Sequence, residues 1–216
     1  MGGFFNLDNA FFATINKIVD MILLSIVYVI ICIPIITIGP ATTALYYVTV
    51  KVIRRERSYV FREFFKSFKR NFKQGTISNL IFILMYLILY VDIQFSNQME
   101  GLPGLILSGI FIAILLILIG VNIYIYPVLS RFDIGIKQLF KNSFFMSVRH
   151  LLSTIVMFLI LAAILFITWL IPLTILITPA LYILLISLLM EKVFRKYMPE
   201  KSEEAKADGI DEWYLE

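Results

Sequence analysis

Residues 151–190 read LLSTIVMFLILAAILFITWLIPLTILITPALYILLISLLM, a run without one charged side chain. As a single helix it is about 60 Å long, twice the ~30 Å hydrocarbon thickness of a bilayer. It must therefore fold back on itself. Pro172 has no amide hydrogen to donate and marks the turn, with Trp169 nearby as an interfacial ring. Two membrane spans follow from this reading, 151–171 and 173–190. Pro179 falls inside the second, where it is expected to kink the helix and free a carbonyl for neighbouring groups to satisfy.

The rest of the chain has the same character. Of its 216 residues, 60% are hydrophobic and 16% charged, whereas a soluble domain carries about 45–50% apolar and roughly 25% charged residues. Charges are also absent from 21–50 and 101–130. A soluble all-α core needs charges every few residues to solvate its helix faces, so that class is excluded. Three more spans are predicted, at about 18–38, 76–95 and 104–128. The fold class is all-α: a polytopic membrane helical bundle of about five transmembrane helices with amphipathic cytoplasmic helices. It forms one membrane domain over 1–195, followed by a polar cytoplasmic tail, 196–216. The single cysteine, Cys32, lies inside the first span and reads as a small buried hydrophobe. The start, MGGFFNLDNA, has no basic stretch before an apolar core, so no cleavable signal peptide is expected.

Orientation follows from lysine and arginine. With five spans, 18 of the 19 positive charges fall on one side; the exception is Lys17. The positive-inside rule makes that side cytoplasmic, with the N-terminus outside and the C-terminus inside a cell membrane. Residues 1–17, with Phe4, Phe5, Phe11, Phe12 and Ile15, form an amphipathic stretch that rests on the outer leaflet or packs on the bundle.

Between the first two spans lies TIGPATTALY, residues 37–46. Gly39 permits a sharp turn and Pro40 suits the first turn of a new helix, about 40–55. Ala41 and Thr42 give it a small, semi-polar start that lets helix backbones approach closely. A packing hairpin is the plainer reading. The sharper one is a helix N-terminus facing a solute path. Next comes YVFREFFKSFKRNFK, residues 59–73. Phe61, Phe64, Phe65, Phe68 and Phe72 share one helical face, and Arg62, Lys66, Lys69, Arg70 and Lys73 cover the rest. A basic helix of about 60–73 with an aromatic face is expected to lie in the membrane surface on anionic inner-leaflet lipid, or to dock a cytoplasmic partner. Nucleic acid is not an expected partner, because topology alone explains the basic count. Residues 131–150 look like a degenerate second copy.

Catalytic signatures are few. Asn122 reads as a helix–helix hydrogen bond inside span three. His150, the only histidine, has no cysteine or carboxylate partner at ligand spacing, so no metal site is expected. There is no phosphate-binding G-x-x-x-x-G-K-[ST] loop, no H-E-x-x-H and no G-x-S-x-G. No buried charge pair of the kind a proton-coupled carrier uses is expected either. The chain thus reads as a non-enzyme without a cofactor.

The Phe-rich start, TIGPATTALY, the F-x-x-F-K-x-N-F-K-x-G stretch from Phe65 to Gly75, YPVLSRFD, FKNSFFMSVRH and the double span resemble the YesL-type bacterial membrane proteins, a domain of unknown function. The resemblance covers about 1–195. It implies a Gram-positive cell membrane and a setting beside sugar-importing ABC transporters and glycan-degrading enzymes. It carries over no catalytic residue. The E-A-A…G coupling loop of ordinary importer permeases is absent. Three roles are open: an accessory subunit or assembly factor contacting importer permease subunits, an autonomous oligomeric small-solute transporter or channel, and a membrane-bound regulator of sugar uptake. In the transporter reading Gly39, Pro40, Asn122, Pro172 and Pro179 shape the path.

Overall fold

A computed structural model describes residues 10–53 and 59–198, with side chains from residue 15 onward. Residues 1–9 with Phe4 and Phe5, the side chains of Phe11 and Phe12, residues 54–58 and the polar tail beyond residue 198 lie outside what is described. Among the described residues the chain is helical without strands. Seven α-helices follow in order: α1 Ala10–Ile31, α2 Ile38–Val48, α3 Val60–Asn97, α4 Leu102–Arg131, α5 Ile136–Arg149, α6 Leu151–Leu170 and α7 Thr178–Phe194.

Four helical stretches are long and apolar enough to cross a membrane: Ile35–Ile53, α3, α4 and α6. They do not have the same surroundings. In the apolar stretch of α6 only 6% of residues are buried, and in those of α3 and α4 22% and 28%, against 67% for Ile35–Ile53. Leu105, Leu152, Leu159, Phe166 and Trp169 are outward-facing and exposed. So much contiguous apolar surface is stable only against lipid. The protein is an all-α membrane bundle.

The bundle is a set of antiparallel hairpins. Helices α3 and α4 are joined at one end by Ser96 and Ser108, whose hydroxyls are 2.8 Å apart, and further along by Asn122 Nδ2 donating to Tyr86 Oη at 3.1 Å. Gly101, at φ 84°, takes the left-handed conformation needed at the bend. Helix α6 turns into α7 through a 3₁₀ segment, Pro172–Leu176, and Thr168 donates to Thr178 across the pair. Pro179 lies in the first turn of α7, not inside a span. Its missing N–H is one that a helix start leaves unpaired anyway, so the expected kink does not arise there. Ser25 of α1 accepts the Ala180 N–H at 3.2 Å, capping α7 from another helix. The proline within a helix interior is Pro127, in α4.

The first span is shorter than its apolar run. Helix α1 ends at Ile31, because Pro34 cannot continue it and Thr37 donates its hydroxyl to the Ile31 and Pro34 carbonyls. A 3₁₀ turn, Ile35–Thr37, then leads into α2, which starts at Ile38 and ends in a π-helical turn, Thr49–Ile53. Another boundary also moved. The separate basic helix and second span are one helix, α3, of 38 residues. Its basic half continues the axis of the span instead of forming an independent helix flat on the surface.

Helices α2 and α3 run antiparallel and in contact. A Cβ built on Gly39 falls 2.2 Å from the Gly75 carbonyl oxygen, and one built on Gly75 falls 2.7 Å from Pro40 N. The two backbones touch, and no side chain fits between them. Gly75→Ala or Gly39→Ala is expected to force the helices apart at a cost of at least ~1–3 kcal/mol. The check is a thermal melt in mild detergent against Gly109→Ala, whose Cβ would enter open space. Equal melting of all three variants would refute the contact.

Candidate functional site

Two regions concentrate polar chemistry. The first is a cavity of about 270 Å³ inside the bundle, where α2, α3, α4, α6 and α7 meet. Thr42, Asn79, Tyr86, Asn122, Tyr126 and Tyr182 supply its polar lining, among isoleucines and Pro127. The hydrogen bonds here join neutral groups. Asn79 Nδ2 donates to the Ile35 carbonyl at 2.7 Å, and its Oδ1 lies 3.4 Å from the Tyr126 hydroxyl. Thr42 donates to the Ile38 carbonyl at 2.7 Å, so Tyr28 is the donor in their 3.1 Å hydroxyl pair. Within lipid an unpaired polar group costs several kcal/mol, and these bonds are what make the cluster tolerable. Asn122 therefore belongs to a helix–helix hydrogen bond with Tyr86, at the cavity wall. Asn79, Tyr86, Tyr126 and Tyr182 were not candidates from sequence. Only Asn79 carried a signal, as a polar residue at the edge of an apolar run.

The second region is the charged layer at the other end of α2. Two buried ion pairs lie here, against the expectation that there would be none. Lys51 Nζ is 2.8 Å from Glu63 Oε2 and 3.1 Å from the Tyr47 hydroxyl. Arg131 Nη2 is 2.6 Å from Glu191 Oε2, and Glu191 Oε1 accepts the Tyr46 hydroxyl at 3.0 Å. The arginine and glutamate side chains are 4% and 6% exposed. All four residues sit at helix ends or helix starts beyond the uncharged runs, which is why a search within those runs missed them. The pairs fasten α2 to α3, and α4 to α7 and α2.

The five phenylalanines in the basic half of α3 divide by burial. Phe64 is fully buried and Phe68 half-buried against the core, while Phe61, Phe65 and Phe72 are exposed. Phe64, Phe68 and Phe72 follow one another at i, i+4 spacing with ring centroids 6.3 and 5.4 Å apart. Gly39, Pro40 and Ala41 are buried and Thr42 half-buried, so they form a packing face rather than an open one. Arg62, Lys66, Lys69, Arg70 and Lys73 are all exposed. Pro172 opens the exposed 3₁₀ turn between α6 and α7, far along the chain from the Gly39–Pro40 contact. His150 ends α5, and its Nε2 lies 3.1 Å from the Tyr197 hydroxyl. Burial, with the Lys196 and Arg149 cations beside it, pushes its pKa down. Among the described residues no group of three or more potential metal ligands comes together.

A polytopic helical membrane protein with a neutral core cluster and a charged layer at one end is the class these features define. The family described as "Protein of unknown function, DUF624" matches this chain over residues 18–93. That segment runs from α1 through most of α3 and contains both partners of the Gly39–Gly75 contact. No curated protein and no solved structure matches the chain.

Removing one member of a buried ion pair strands the other charge. Glu191→Ala is expected to destabilise the protein by ~3–5 kcal/mol, and Arg131→Met with Glu191→Met to recover much of that loss. Chemical denaturation of the purified variants in mixed micelles reads both. A double variant no better than the single would mean that the two side chains do not interact.

Proposed function

We propose that this chain is a non-catalytic accessory subunit or assembly factor of a carbohydrate ABC importer in a Gram-positive cell membrane. It is of YesL type and works through protein–protein contact. The carrying observation is the outward row of Phe61, Phe65 and Phe72 on the basic half of α3, next to Arg62 and Lys69. At 100° per residue these three rings fall within about 40° of one another around the helix. Exposed aromatics with flanking cations suit an interface with a second membrane protein or with anionic inner-leaflet lipid. In the cavity Asn122 is bonded to Tyr86, Asn79 to Tyr126 and Thr42 to Tyr28, which suits a structural role. The carbohydrate setting rests on the sequence resemblance, whose two specific stretches are the ones joined at Gly39 and Gly75.

The proposed orientation places the N-terminus outside and the charged layer in the cytoplasm. It treats Ile35–Ile53 as a helix sheathed by protein at the inner face, not as a further span, because α3 covers it and Lys51 is near its end. Cysteine accessibility tests this on a Cys32→Ser background. Glu100→Cys is expected to react with an impermeant maleimide in intact cells, and Gln138→Cys only after permeabilisation. The reverse labelling would overturn the assignment.

A second reading, an oligomeric small-solute transporter, is favoured by the cavity at Asn79 and Asn122. One experiment separates the two. In a mild-detergent pull-down from native membranes, the accessory role predicts co-purifying importer permease subunits. Phe61→Ala, Phe65→Ala and Phe72→Ala combined should release them without lowering the melting temperature, since the rings are exposed. Isolation of the chain alone, with sugar flux into liposomes that hold only this protein, would sink the accessory reading and establish the other.

A further inference from the structure

The basic half of α3 does more than present a charged exterior. Lys66, Ser67, Arg70, Asn71, Lys73 and Gln74 form one wall of a cavity of about 290 Å³. Tyr47 of α2 and the stretch from Leu129 to Asp133 at the end of α4 form the other. A helix that only satisfied topology would send its cations outward into solvent. Here three of them converge on a concave, largely polar space. Among the described lining residues Asp133 is the one carboxylate, 3.8 Å from Arg70 across a solvent-exposed gap. Arg131 is matched by Glu191, so among the described lining residues three cations face one carboxylate, an excess of two positive charges. Among the described residues neither Lys66 nor Lys73 has an ion-pair partner. Ser67, Asn71, Gln74, Ser130 and Tyr47 add neutral polar groups around that charge.

We propose that this cavity binds a phosphate group, as the head of an anionic phospholipid or as a soluble phosphate ester. Two excess charges match a phosphate monoester or diester. Lysine and arginine at different heights on one helix face reach different oxygens of a tetrahedral anion. The volume lies at the low end for ligand sites, suited to a small phosphorylated head rather than to a nucleotide. The cavity lies where α4 ends, beside the exposed side chains of Arg70 and Asp133, a place that either an anionic headgroup or a soluble ester would reach. Asp133 opposes the anion and sets the affinity below its maximum. The proposal stands independently of the accessory role.

The test uses the full chain in neutral detergent, titrated calorimetrically with glycerol 3-phosphate and with glycerol. In parallel, the chain in nanodiscs of phosphatidylglycerol or of phosphatidylcholine is melted thermally. Saturable binding of glycerol 3-phosphate assigns a soluble ester; stabilisation by phosphatidylglycerol alone assigns the lipid head. In either arm Lys66→Gln with Lys73→Gln should weaken the effect about tenfold or more, since two charge-assisted contacts are lost. Lys69→Gln, on the same helix but outside the lining, should leave it unchanged. Asp133→Asn should strengthen it several-fold, a gain that no folding defect produces. The proposal is overturned if neither probe has an effect, or if Lys69→Gln weakens binding as much as the double variant, which would reduce it to general surface charge.

Discussion

The fold depends on two backbones being allowed to touch. Inside a membrane, lipid tails are as apolar as leucine, so burying apolar side chains gives little drive for helices to associate. What remains is close packing and hydrogen bonding. At Gly39 and Gly75 the chain removes both side chains and lets the start of α2 lie directly on α3. Other contacts follow from that crossing. It sets the register that brings Asn79 to the Ile35 carbonyl on one side and Glu63 to Lys51 on the other. It also buries the stretch Ile35–Ile53, whose length and hydropathy would otherwise suit a span.

A gradient of polarity runs along this scaffold. Toward the middle of the bundle the hydrogen-bonding groups are amides, hydroxyls and phenols, which can be satisfied in pairs without any net charge. Among the described residues the buried ion pairs lie where α4 and α7 end, as Arg131 with Glu191, and where α2 meets the start of α3, as Lys51 with Glu63. Charge burial is tolerable there because each carboxylate meets a cation at hydrogen-bond distance and a tyrosine hydroxyl lies in each cluster. The arrangement concentrates the buried ion pairs in one layer.

That layer has two faces, and one helix supplies both. The basic half of α3 turns Phe61, Phe65 and Phe72 to one side and Lys66, Arg70 and Lys73 toward the cavity below α4. Continuity with the span fixes this assignment. A helix joined rigidly to a membrane segment cannot roll to bury its aromatics, as a free surface helix would.

Much of this was legible in the residues. Uncharged runs of thirty to forty residues allow nothing but helices in lipid, since an extended chain there leaves its peptide groups unpaired. The turn at Pro172 followed from backbone chemistry, and so did a new helix at Gly39–Pro40, although it begins at Ile38 and takes Gly39 into its first turn instead of the turn before it. The Phe–Lys pattern of residues 59–73 announced an amphipathic helix, and Asn122 a hydrogen bond. Sequence alone did not reveal that α1 stops at Ile31, because a cap supplied by Thr37 lies within an unbroken apolar run. Nor did it reveal that the basic helix and the second span are one. It could not separate Phe64 from Phe61, or pair Lys51 with Glu63 and Arg131 with Glu191. Periodicity reports which residues share a side of one helix. Which side another helix covers, and which distant charge meets which, depends on how the helices cross, and that crossing was decided by the approach of Gly39 to Gly75.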